Sequence, residues 1–104
     1  MAQTYTFRGT ARSIVRDAGR TIYSYHRTAV VTRYEDGSIR LDSGGWRTAT
    51  TKTAMNQASY QGQLGFGVHQ RDHVWFVTHG GIERPFHDGM TLVPMHSDLA
   101  RDAA

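Results

Sequence analysis

From Thr21 to Leu41 the chain alternates apolar or β-branched residues with polar ones, in the runs TIYSYHRTAVVTRY and SIRLD. Glu35-Asp36-Gly37 separates the two. Asp-Gly between such runs predicts a β-hairpin with a two-residue turn, because Gly and Asp tolerate the positive φ that both central positions need. That turn would set Tyr34 opposite Ile39 and Thr32 opposite Leu41. Val30, Thr32, Tyr34, Ile39 and Leu41 would then share the core face. Arg27, Arg33 and Arg40 would lie on the other face, with Tyr23 and Tyr25 further along. Arg33 would stand directly across from Arg40, a like-charge pair that is unfavourable unless an anion lies nearby.

Downstream, Thr51 to Gln61 predicts a helix of about three turns, with Ala54, Met55 and Ala58 as its buried stripe and Gly62 as its stop. A meander follows: strands at Leu64–Gln70, His73–His79 and Ile82–His87, turning at Arg71-Asp72 and Gly80-Gly81. Phe66, Val68, Trp75, Val77 and Phe86 fall on one face of it, an agreement across three strands that a correct register should give. Asp88-Gly89 turns into a last run, MTLV. Upstream, Thr4 to Arg20 fits either a helix or a strand turning at Asp17-Ala18-Gly19, and its Thr, Tyr, Phe and Val content favours the strand. The pattern predicts an α+β fold: an antiparallel sheet of about six strands, as a hairpin, one helix and a three- to four-strand meander, with the helix packed on one face. Residues 1–94 read as a single domain and 95–104 as a tail, loose or forming a short helix capped by Ser97.

Composition narrows the class. At 104 residues, 38% of them hydrophobic, the chain can bury one modest core. It has no apolar run near the roughly 20 residues of a membrane span, and MAQTYTFRG lacks the apolar core of a signal peptide. Without cysteine there are no disulfides or thiolate metal sites. The expectation is a cytoplasmic protein without membrane contact. Net charge is +3 and the twelve cations comprise eleven arginines and Lys52. Arginine's planar fork suits phosphate and carboxylate, so the bias points to an anionic partner. Arg8, Arg12, Arg16 and Arg20 recur every fourth residue, which places them on one face of a strand.

The stretch GGWRTATTKT carries the most chemistry. Gly44-Gly45 lets the backbone bend, and Trp46 is expected to anchor the loop in the core. Thr48, Thr50, Thr51 and Thr53 straddle the start of the helix, where backbone N–H groups lack partners. With Arg47 and Lys52 beside it, that terminus is a reasonable phosphate site. In the plainer reading Thr50 or Thr51 only caps the helix and Lys52 is solvated. G-x-x-x-x-G-K-[ST] is absent, so nucleotide hydrolysis is not implied. Six histidines are present, but no metal-ligand spacing joins them, and His69 and His73 point to opposite faces in the register above. Ser43 has no nucleophile elbow around it. Phe76 falls opposite the core stripe, where the helix is expected to cover it. No cofactor and no catalytic residue is expected.

GGWRTATTKTAMNQ, followed by GFGVHQRDHVWFV and PFHDGMTL, resembles small bacteriophage-encoded proteins that carry a GGW-x-T-x-T-T-K block and have no established activity. The resemblance spans roughly Thr28 to Leu92 and implies a phage setting, hence the host cytoplasm. Residues and resemblance together suggest a small basic non-enzymatic binder of nucleic acid or a phosphorylated ligand. Arg27, Arg33 and Arg40 would make phosphate contacts, helped by Arg8, Arg12 and Arg16. Arg47, Lys52, Thr50 and Thr51 would cradle one phosphate, and Tyr23 and Tyr25 would stack on bases. The alternatives are an inhibitor of an acidic host protein, a virion component, or a sequestering pocket for a small phosphorylated signal.

Overall fold

The computed structural model describes residue 7 and residues 9–94. Arg8, the segment before Phe7 and the tail 95–104 lie outside the described residues, and with them one phosphate contact and the Ser97 helix. The elements run β1 (Arg12–Asp17), β2 (Arg20–Tyr25), β3 (Thr28–Arg33), β4 (Ile39–Leu41), α1 (Ala49–Gly62), β5 (Phe66–Arg71), β6 (Val74–His79), β7 (Ile82–Pro85) and β8 (Met90–Leu92). The α+β class holds, but one sheet of about six strands becomes two antiparallel sheets, ordered β1-β2-β3-β4-β8 and β5-β6-β7. Within the first segment, Arg12–Asp17 is a strand and not a helix, while residues 4–6 lie outside the described residues.

The extra strand comes from a turn inside TIYSYHRTAVVTRY. His26 adopts φ 59°, and with Arg27 it reverses the chain so that Tyr25 pairs with Thr28. The register then slips between Tyr23 and Ser24: Tyr23 faces Val31 while Ser24 faces Ala29. Val30 is the extra residue of this β-bulge, so adjacent Val30 and Val31 are both fully buried.

The β3–β4 turn also departs from expectation. Asp36 Oδ1 accepts from the backbone N–H and the hydroxyl of Ser38, and Tyr34 N–H donates to Ser38 O. These bonds close a longer loop, in which Arg33 faces Ile39, Thr32 faces Arg40 and Val31 faces Leu41. One residue of slip exchanges the faces. Val31, Ile39 and Leu41 point into the core, Thr32 and Arg40 point away, and Tyr34 sits in the loop. Arg33 pairs with Ile39 and shares its face, so it neither stands across from Arg40 nor lies on the same face as Arg40.

In the small sheet the expected face is correct: Phe66, Val68, Trp75, Val77 and Phe86 are all buried. The first turn moves to Asp72-His73, both at positive φ (53° and 67°), so His69 pairs with Phe76 rather than Val74. His73 is a turn residue. Phe76 lies on the outer face, where His69 stacks on it at 5.8 Å and the Arg71 guanidinium at 4.3 Å. Phe76 is only half-buried there and stands outside the buried core, contrary to the expectation that the helix covers it. MTLV leaves the meander and pairs with β4 in the large sheet.

Helix α1 joins the two sheets. Ala54, Met55 and Ala58 are buried as the apolar spacing predicts. Three residues apart on its surface, Asn56 and Ser59 take the place of a neighbouring strand along β5. Asn56 donates to Val68 O (2.9 Å) and accepts from Val68 N (2.8 Å). Ser59 donates to Phe66 O (2.6 Å) and accepts from Phe66 N (3.1 Å). A sheet edge that would otherwise be open is thereby satisfied. Gly62 is the last helical residue, and Gln63 takes the left-handed cap at φ 54°. A Cβ at Gly62 would stand 2.5 Å from Tyr23 Oη, so this glycine allows close packing and does not break the helix by its φ.

Candidate functional site

At the N-terminal end of α1 the loop 42–47 is fixed by one buried hydroxyl. Ser43, fully buried, donates through its backbone N–H (2.7 Å) and its hydroxyl (2.8 Å) to Asp88 Oδ1. Its Oγ also accepts from Gly45 N–H and Arg47 Nε. Burial alone would raise the Asp88 carboxyl. The two Ser43 bonds, with Arg47 and His87 nearby, outweigh it, and the carboxyl lies below its ordinary 3.8. Gly44 holds φ 67°, and a Cβ there would meet Thr28 Oγ1 at 2.6 Å. The loop therefore sits tight against the start of β3 only because residue 44 is glycine.

The cap is Thr48 rather than Thr50 or Thr51. Its backbone is extended and its hydroxyl accepts from Thr51 N–H. The Thr51 hydroxyl lies 3.1 Å from that of Thr48, and Thr51 is buried. The amides of Ala49 and Thr50 remain without an intrahelical acceptor. The first turn carries no acidic residue, so nothing in the helix itself neutralises its positive end.

Between this helix start, the β2–β3 turn and the loop lies an open cavity of about 780 Å³. Tyr25, His26, Arg27, Thr28 and Val30 line it from the β2–β3 side. Ser43, Trp46, Thr48, Thr50 and Thr51 line it from the loop and helix. The volume is that of a site for a small organic ligand, for which roughly 300–1,000 Å³ is usual. Among the described residues no carboxylate lines it. Arg27 is exposed and has no ion pair among them, whereas Arg40 is paired with Asp42 at 3.1 Å and Arg47 lies 3.8 Å from Asp88.

The expected site residues thus divide. Tyr25, Arg27, Thr50 and Thr51 meet at the cavity. Arg47 and Lys52 turn the other way: the Arg47 guanidinium lies 4.7 Å from the Phe86 ring centre and 5.4 Å from that of Trp75. Lys52 Nζ lies 5.8 Å from Trp75 and donates to Gln70 Oε1 at 2.9 Å. These cations cover the small sheet's aromatic core instead of cradling a phosphate with Thr50 and Thr51. Arg33 and Arg40 occupy opposite faces of the large sheet. Arg12 packs over Tyr25 at 5.0 Å and donates to Gln57 of α1, and Arg20 pairs with Asp17. Tyr23 is buried in the core at the edge of Phe7, where burial raises its hydroxyl pKa against the pull of Arg16 and Arg33. It has no face to offer a base.

Trp46 reverses its expected role. It is 68% exposed at the cavity mouth, while Trp75 is 4% exposed. His26, Thr28, Val30 and Thr48 also belong to the cavity and were missed as site residues. The polar pair His26-Arg27, breaking an alternating β run, is the signal that could have shown them.

The family described as Kyanoviridae Gp96 protein matches residues 2–93, nearly the whole chain. The chain belongs to that family. It is therefore phage-encoded. No curated protein and no solved structure matches it. Among the described residues no helix is long and apolar enough to cross a membrane, and no three His, Asp or Glu side chains gather closely enough to hold a metal ion.

Proposed function

We propose that this phage protein binds a small phosphorylated ligand in the cavity at the start of α1, and holds it without chemical change. One observation carries the reading. Thr50, at a helix start whose first amides lack an intrahelical acceptor, and Arg27, which has no ion pair among the described residues, line one concave site that contains no carboxylate among them. Amide dipoles and a guanidinium arranged in this way favour a phosphate dianion. Ser43 lines the same cavity, but its hydroxyl is buried and engaged at once with Asp88, Gly45 and Arg47, so it serves the loop and not catalysis. Arg33 and Arg40 lie on opposite faces of the large sheet and Arg40 is paired with Asp42, which favours a compact ligand at the cavity over an extended strand. Sequestration of such a ligand inside the infected host cell is the corresponding biological role.

Isothermal titration calorimetry with ribose 5-phosphate, and with a single-stranded decanucleotide, tests the reading. We expect stoichiometric binding of the sugar phosphate that weakens with salt and is lost in Arg27→Glu. Binding of the oligonucleotide alone, undiminished in Arg27→Glu, would transfer the function to another surface and a polymer.

A further inference from the structure

The outer wall of the cavity carries an exposed aromatic ring on a fixed stretch of backbone. Trp46 N–H donates to Ser43 O at 3.0 Å, and Trp46 O accepts from Thr48 N–H at 2.9 Å. Ser43 is tied to Asp88, and Gly44 is wedged against Thr28. The backbone of Trp46 is thus held from both sides, while its indole stands in water at 68% exposure. Across the cavity, Tyr25 and His26 form an aromatic pair with ring centres 4.4 Å apart. A solvated indole on a fixed backbone has only two side-chain torsions to order when a flat ligand lies on it, which suits a stacking platform.

Given the reading that this cavity takes a phosphorylated ligand, we infer that the ligand is a nucleotide unit, its base stacked on Trp46 and its phosphate at the start of α1 beside Arg27. An inorganic or sugar phosphate would use only the helix side of the cavity and leave the indole wet. A base covers the indole and is tolerant of sequence, because every base has a π-face. The same unit could arrive as a free nucleotide or as one residue of a single strand.

The full-length protein, titrated with the four ribonucleoside 5′-monophosphates, ribose 5-phosphate and a single-stranded decanucleotide, separates these cases. Tryptophan fluorescence and calorimetry would be read in parallel. Trp46 and Trp75 are the two tryptophans, and Trp75 is buried, so a stacking quench reports on Trp46. We expect at least one monophosphate to bind about tenfold or more tightly than ribose 5-phosphate and to quench the emission. Trp46→Ala should reduce that nucleotide to the affinity of ribose 5-phosphate, Trp46→Phe should keep most of the gain, and neither should alter the melting temperature. A decanucleotide binding more tightly than any monophosphate, with the same Trp46 dependence, would assign the unit to a strand; the reverse order would assign it to the free pool. Equal affinity for nucleotides and ribose 5-phosphate, or an unaffected Trp46→Ala, would overturn the inference and leave the phosphate site standing. Failure of every phosphorylated probe to bind would overturn both.

Discussion

On one flank of the first turn of α1, Arg47 and Lys52 lie over Trp75 and Phe86, and Ser43 is bound to Asp88. On the other flank, Arg27, Thr50 and Trp46 face an open cavity and make few contacts with the protein. Both flanks are built from cations, hydroxyls and aromatic rings, and Trp46, Arg47, Thr50 and Lys52 come from one short block, GGWRTATTK. On the packed flank each polar group has a partner and each ring is buried. On the cavity flank the cation has no ion pair among the described residues and the ring is wet. Residue type therefore does not separate structural from ligand-binding residues here; partnering does. A guanidinium already stacked on two rings and facing a carboxylate has little left for a ligand.

Substitutions on the two flanks should therefore act on different quantities. The largest effect is expected from Ser43→Ala. It removes a buried hydroxyl that serves Asp88, Gly45 and Arg47, and should cost roughly 2 kcal/mol, lowering the melting temperature by about 10 °C in a scanning calorimeter. Next comes Arg27→Glu. It should leave the melting temperature nearly unchanged and weaken a phosphorylated ligand by about ten- to a hundredfold, measured by titration calorimetry.

Acid should distinguish the flanks more gently. Because the folded Asp88 carboxyl lies below its ordinary 3.8, its contribution is present above about pH 4 and is lost as pH falls through the lower folded value. Melting temperatures measured from pH 2.5 to 7 should fall less steeply at the acid end for Asp88→Asn than for wild type. The smallest effect belongs to Lys52→Ala. Its ammonium is committed to Gln70 and Trp75, so ligand affinity should change by less than about threefold, with a stability loss under roughly 1 kcal/mol. A large affinity loss in Lys52→Ala would dissolve the distinction between the flanks.

The same distinction explains how much could be read from the chain. The small sheet was legible because Phe66, Val68, Trp75, Val77 and Phe86 alternate cleanly, and Gly80-Gly81 marks its second turn with residues that accept positive φ. The large sheet was harder. His26 and Arg27 make a tight turn without Gly, Asn or Pro, and the bulge at Val30 breaks the alternation that would reveal the faces. At Asp36 a side-chain bond to Ser38 selected a longer loop than Asp-Gly suggests, and one residue of slip moved Arg40 off the face of Arg33. For the site, the block GGWRTATTK identified the right place in the fold, since it forms the loop and the helix start. It could not assign roles within the block. Whether Arg47 turns towards Phe86 or towards the cavity depends on Trp75 of β6 and on Phe86 just after β7, nearly thirty or more residues later, and a tryptophan after two glycines carries no mark of exposure.

The most direct test of the account is a titration followed by amide NMR, with ¹⁵N-labelled protein and a ribonucleoside monophosphate. The account predicts that the largest shifts fall on the Ala49 and Thr50 amides and the Trp46 indole N–H, with Arg33 and Arg40 on their two sheet faces unmoved. Shifts centred on Arg33, Arg40 or the outer face of the small sheet, with the start of α1 silent, would contradict it.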